Sequence, residues 1–228
     1  MEKADLDYPT LAEFRAWPSL PAMVFAVGRR KGDQPLFWHK KLEKWQPTSW
    51  SETLAAISAL AQALRHLGIS SGDRVVLVSE SRPEWAIADI AIMAIGAVAV
   101  PAYITNTSGD HQHILADSGA KAVIVSTAKL AIPLFAAIMK TSGVETVIAI
   151  ETVSTPPGFK PKLTLWSDAL KLDSAQDHAW IASTIAALSR RDLACLIYTS
   201  GTGGTPKGVM LSHGAILCNA MGAFDLLH

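Results

Sequence analysis

A chain of 228 residues, half of them apolar, can bury a sizeable core and is long enough for one domain or two. Its 20 basic and 20 acidic side chains cancel, which argues against a general nucleic-acid binder or a protein held to anionic membranes by net charge. Cys195 and Cys218 have neither metal-type nor redox-type spacing and point to a reducing compartment. No apolar run is long enough to span a membrane, and none follows the N-terminus as a secretory signal would.

Before about residue 34 the apolar positions are scattered and predict short irregular helices. Leu36, Phe37 and Trp38, then Trp45 to Thr48, read as a hairpin around a solvated charged turn. Ser49 and Glu52 make a capping box for a helix whose apolar face is Leu54, Ile57, Leu60, Ala61 and Leu64, stopped by Gly68. Alternation follows: a strand from Arg74 to Val78, a helix from Pro83 to about Ile95 with Gly96 past its end, and a strand from Ala97 to Val100. Next come a helix from Asp110 to Ser118, a strand from Ala122 to Ser126, a helix through Leu134 to Met139, and a strand from Glu145 to Ile150. Strands alternating with helices predict an α/β fold, a mostly parallel sheet with helices on both faces. The Pro/Gly-rich stretch Thr155 to Pro161 is a loop that divides residues 1–160 from a second part, 161–228.

That second part holds the stretch with the most chemistry. A buried strand, Leu193 to Ile197, and Tyr198 lead into Thr199, Ser200, Gly201, Thr202, Gly203, Gly204, Thr205, Pro206 and Lys207. Glycines let backbone N–H groups approach an anion, hydroxyls add short donors, and the lysine supplies a mobile positive charge. Pro206 limits where Lys207 can point. Counting from Gly201 puts Pro206 where both a Walker loop and the G-x-G-x-x-G fingerprint need glycine, so neither applies. Val209 to Leu211 reads as a short strand, and Ser212 as the N-cap of a helix running into Phe224. Loop amides and hydroxyls, not a helix dipole, are then the anion-binding device.

Two other groups of residues bear on chemistry. His111 and His113, with Asp110 and Asp117, read as a polar helical turn and not a metal site, because positions two apart face different directions. There is no Gly-x-Ser-x-Gly elbow, so Ser200 is not a hydrolase nucleophile by pattern.

Residues Tyr198 to Val209 closely resemble the phosphate-binding signature of the adenylate-forming superfamily, which includes AMP-forming acyl-CoA synthetases. They depart only at Gly203, where the family usually has threonine; Ser212 and His213 match as well. Ala55 to Val78, with Gly72 to Val75, resembles the family's helix-Gly-Asp-strand entry, and Arg82 to Trp85 and Gly96 to Tyr103 resemble the long-chain fatty acyl-CoA synthetase branch, with Ser81 where that branch usually has asparagine.

The resemblance implies the N-terminal part of the large domain of an ATP-dependent, AMP-forming fatty acid–CoA ligase. A fatty acid, ATP and CoA would be its small-molecule substrates, with Mg2+ held partly by residues beyond His228. Thr199 to Lys207 would bind the ATP phosphates, and His213 would either contact substrate or pack and cap. The family's catalytic and metal-binding segments would lie downstream, so this chain carries neither and would not complete a turnover. The implied compartment is the cytoplasm, with peripheral membrane contact and self-association of an exposed sheet left open. Two alternatives stay open: a stand-alone non-catalytic nucleotide- or protein-binding module, and an adenylating enzyme for an aryl, amino or short-chain acid.

Overall fold

A computed structural model describes residues 8–41, 43–172, 178–199 and 205–227. Two N-terminal helices, α1 (Leu11–Ala16) and α2 (Leu20–Lys31), precede a separate antiparallel hairpin, β1 (Pro35–Lys41) and β2 (Lys44–Ser49). Then come α3 (Trp50–His66), β3 (Arg74–Val78), α4 (Pro83–Ala94), β4 (Val98–Pro101), α5 (Ser108–Ser118), β5 (Ala122–Val125), α6 (Ala128–Ile138) and β6 (Thr146–Ala149). The remainder is β7 (Lys162–Leu165), the short α7 (Trp166–Ala169), α8 (His178–Ala187), β8 (Leu193–Thr199), β9 (Lys207–Ser212) and α9 (His213–Leu227).

Local chemistry explains most of these boundaries. Ser49 and Glu52 close a reciprocal capping box at the start of α3, and Thr107 and Asp110 do the same for α5. The expectation of irregular structure before residue 34 is corrected at α2, a regular 12-residue helix. Ser19 caps it by accepting from the Ala22 N–H, Pro21 sits in its first turn, and three basic residues fill its last. Gly96 ends α4 at φ +74, and a Cβ there would sit 2.7 Å from the Ser71 hydroxyl oxygen. Both the backbone turn and the close approach of Ser71 therefore require glycine.

The main sheet runs β7-β6-β5-β3-β4-β8-β9. Every pairing is parallel except β8 with β9, so the parallel expectation holds up to an antiparallel edge. Alternating side chains divide the core in two. Val75, Leu77, Ala99, Ile124 and Ile148 face α3, α4, α7 and α8. Val76, Val78, Val100, Val123 and Val125 face α5 and α6. Crossovers of one hand require this division. The chain moves one way along the sheet from β3 to β4 and from β7 to β8, and the other way from β4 through β5 to β6. Trp85 is half-buried against the first core, as a core aromatic. Arg82, just before α4, ties the loop after β3 to that after β6 through Glu151 at 2.8 Å, and it pairs locally with Glu84 of α4 at 2.9 Å.

Candidate functional site

Strands β8 and β9 pair from Leu193 with Ser212 up to Thr199 with Lys207, so residues 200–206 are the connection of an antiparallel hairpin. Ser200, Gly201, Thr202, Gly203 and Gly204 lie outside the described residues; Thr199, Thr205, Pro206 and Lys207 lie within them. β8 is parallel to β4, so this connection leaves at the carboxyl end of the parallel strands, where open α/β sheets bind their ligands. Thr199, Thr205 and Lys207 are exposed and Pro206 is half-buried. Among the described residues no carboxylate pairs with the Lys207 ammonium.

The stems of the hairpin are fixed by packing. Tyr198 is buried opposite Gly208, where a Cβ would lie 3.1 Å from the tyrosine ring, so the ring rests directly on the glycine backbone. The Tyr198 hydroxyl donates to Asp117 Oδ2 of α5 at 2.6 Å. Burial, and then the Asp117 carboxylate, hold this phenol well above its usual range, so it remains a donor. Tyr198→Phe removes a hydrogen bond to a charged acceptor and should cost about 1–2 kcal/mol, toward the lower end because Asp117 is exposed and can turn to water. Urea unfolding of both proteins measures it, and no change in midpoint would mean that the bond contributes nothing net.

From α5, His113 also reaches the hairpin, with Nε2 2.8 Å from the carbonyl oxygen of Pro206. A carbonyl only accepts, so Nε2 carries the proton. Its ring meets Tyr198 edge-on, centroids 6.0 Å apart. His111 faces the interior instead, 1% exposed, and burial lowers its pKa against the weaker opposing effect of Asp110. The polar-turn expectation therefore describes Asp110 but not the two histidines. Among the described residues no cluster of three or more His, Cys, Asp or Glu side chains gathers that could hold a metal.

Beside this hairpin lies a cavity of about 320 Å³ lined by Tyr103, Asn106, Ile114, Tyr198 and Pro206. Among the described residues the Asn106 side-chain amide nitrogen is buried there without a partner. Sequence reasoning missed Asn106, the contacts that His113 and Asp117 make with the hairpin, and the role of Tyr198. The loop between β4 and α5 gave no signal beyond its polar character, and only the packing of α5 against β8 brings the others together. His213 is 1% exposed at the start of α9, and its Nδ1 accepts the Leu20 N–H at 3.4 Å. Burial lowers its pKa, with Asp192 opposing. These contacts are packing contacts, tying α9 to α2.

A family model described as AMP-binding enzyme matches residues 18–227. The chain belongs to the AMP-binding enzyme family. Among its relatives, a long-chain-fatty-acid–CoA ligase of Mycobacterium tuberculosis is 33% identical over 205 residues, covering 90% of this chain and 33% of its own. An L-proline–[L-prolyl-carrier protein] ligase of Streptomyces coelicolor is 32% identical over 171 residues, 75% of this chain and 31% of its own. The chain thus spans about a third of the length of these curated relatives.

The fold recurs in solved structures. The luciferase-like enzyme of the nonluminescent Zophobas morio mealworm superposes with a TM-score of 0.73 at 19% identity, over 95% of this chain and 47% of its own. The adenylation domain of a carboxylate reductase from Mycobacterium chelonae gives 0.70 at 19% identity, over 91% and 36%. No helix among the described residues is long and apolar enough to cross a membrane.

Proposed function

We propose that this AMP-binding chain holds the β- and γ-phosphates of ATP with Thr199 to Lys207, as the N-terminal portion of an AMP-forming fatty acid–CoA ligase. The observation that carries the reading is the hairpin connection itself. It is glycine- and hydroxyl-rich, sits at the carboxyl end of the sheet, and is closed by a lysine that no described carboxylate neutralises. In the proposed reaction the fatty acid carboxylate attacks the α-phosphorus, pyrophosphate leaves, and the CoA thiol then displaces AMP from the acyl adenylate. The chain's part is to position the polyphosphate and offset its charge. Mg2+, where bound with ATP, would offset further charge on the phosphates. The long-chain acyl assignment follows the fatty acid–CoA ligases among the relatives; the prolyl-carrier ligase keeps the amino acid alternative in view. The buried Cys195 and exposed Cys218, both free thiols, fit a reducing cytoplasm. Val209 and Met210, exposed on the edge strand β9, give the chain a surface for self-association.

The test is competition. Mg-ATP bound to the 228-residue chain should be displaced by Mg-tripolyphosphate and by Mg-pyrophosphate, but not by AMP at the same concentration. Displacement by AMP alone would move the site to the adenosine and overturn the reading. ATP–pyrophosphate exchange that depends on fatty acid, in a polypeptide as long as the relatives, tests the acid; exchange with an aryl or amino acid instead would replace that part of the proposal.

A further inference from the structure

We infer that His113 is a positioning residue for Lys207, acting through the carbonyl of Pro206; the inference rests on the reading of Thr199 to Lys207 as a polyphosphate site. The hairpin connection has two stems, and α5 holds both. Asp117 takes the hydroxyl hydrogen of Tyr198, the residue before Thr199, at 2.6 Å. His113 donates to Pro206, the residue before Lys207, at 2.8 Å. His113 and Asp117 are four apart and so share one face of the helix. That helix is itself fixed at its start, where the Thr107 N–H donates to Asp110 at 2.8 Å and the Asp110 N–H to Thr107 at 3.3 Å.

The link from His113 to the lysine is the peptide plane. Pro206 has no N–H, so its carbonyl is its only main-chain hydrogen-bonding group. That oxygen is coplanar with the carbonyl carbon, the Lys207 nitrogen and the Lys207 Cα. Fixing the oxygen from outside therefore fixes the plane from which the lysine side chain starts. The ring of His113 is further held edge-on to buried Tyr198, so the donor does not swing away. Without this bond the plane is held only from the ladder side, where Lys207 pairs with Thr199, and a bound polyphosphate must complete its ordering at its own expense.

The experiment measures Mg-tripolyphosphate affinity by calorimetry on the 228-residue chain, in wild type, His113→Leu, His113→Gln, Lys207→Ala and the double variant Lys207→Ala/His113→Leu. His113→Leu removes the donor while filling the space, and should weaken binding about three- to tenfold. His113→Gln keeps an N–H at similar reach and should recover most of that loss. In the Lys207→Ala background His113→Leu should cost nothing further, because a positioning role has nothing left to position. A packing role would not produce that coupling. The inference is overturned if His113→Leu binds as wild type does, or loses the same factor with and without Lys207. Should the leucine variant fail to fold, His113→Asn serves: its amide is one bond too short, so it should bind weakly where glutamine does not, and equal affinity for the two overturns the inference. If Lys207→Ala alone loses affinity, only the role of His113 falls. If wild type and Lys207→Ala bind equally, the phosphate reading falls and takes the inference with it.

Discussion

Lys207→Ala is expected to weaken Mg-ATP binding about ten- to a hundredfold while leaving the fold intact. A lysine on phosphate oxygens makes a charge-assisted hydrogen bond, and such bonds contribute about 1.5–3 kcal/mol, with each 1.4 kcal/mol a factor of about ten. The side chain is exposed and no described carboxylate depends on it, so its removal strands no buried charge. The unfolding free energy should therefore change by no more than about 0.5 kcal/mol. Lys207→Arg keeps the charge but replaces a compact ammonium with a broad planar fork, so partial affinity is expected. Raising salt should weaken wild type more than Lys207→Ala, since part of what is lost is electrostatic. Calorimetric titration with Mg-ATP measures all of this, and an alanine variant with unchanged affinity would remove Lys207 from the site.

The central strands and their alternation with helices were largely legible because β3, β4, β5 and β6 are short apolar runs between turn signals, and the intervening helices carry helical spacing and caps. What escaped lies where those signals fade. β7, with the sequence Lys-Leu-Thr-Leu, is an edge strand whose half-exposed side chains give no buried run. The helices α7 and α8 follow it closely, and α8 is apolar on several sides, so neither shows a clean period. The candidate site divides in the same way. Its loop stood out in the sequence because glycine, hydroxyl and lysine fall in one stretch. Its supports did not, because His113 and Asp117 stand some 80 residues before Tyr198 and meet it only once α5 packs beside β8. Two histidines two apart on a helix look alike in sequence. The fold sends His111 into the core and His113 to the loop, a difference set entirely by which face α5 turns inward.

A second large effect is expected far from the loop, at Asp89. Asp89 lies half-buried on α4, beneath the sheet; among the described residues its Oδ1 is enclosed without a hydrogen-bond partner, and burial pushes its pKa up to about 7. The nearby Cys195 thiol of β8 is pushed up to about 11, mainly by burial and further by the Asp89 charge. Below about pH 4 the carboxyl is protonated in folded and unfolded chain alike and carries no penalty. Between about pH 4 and 7 the unfolded chain releases this proton and the folded one keeps it, so stability falls as pH rises. Above about pH 7 the full penalty applies. A difference of about three pKa units corresponds to about 4 kcal/mol, and partial access of water reduces it to about 2–4. Asp89→Asn should therefore stabilise the chain by that amount at pH 8 and by clearly less at pH 5. His111 and His213 act in the opposite sense: burial keeps them neutral, so they withdraw stability as pH falls below about 6.5. With Asp89 replaced, the histidines alone should set the profile, and stability should climb from pH 5 to pH 7 in place of the flatter wild-type curve. Urea unfolding of wild type and Asp89→Asn at pH 5 and pH 8 decides it. An equal difference at the two values would mean that the effect of Asp89 is packing and not its proton.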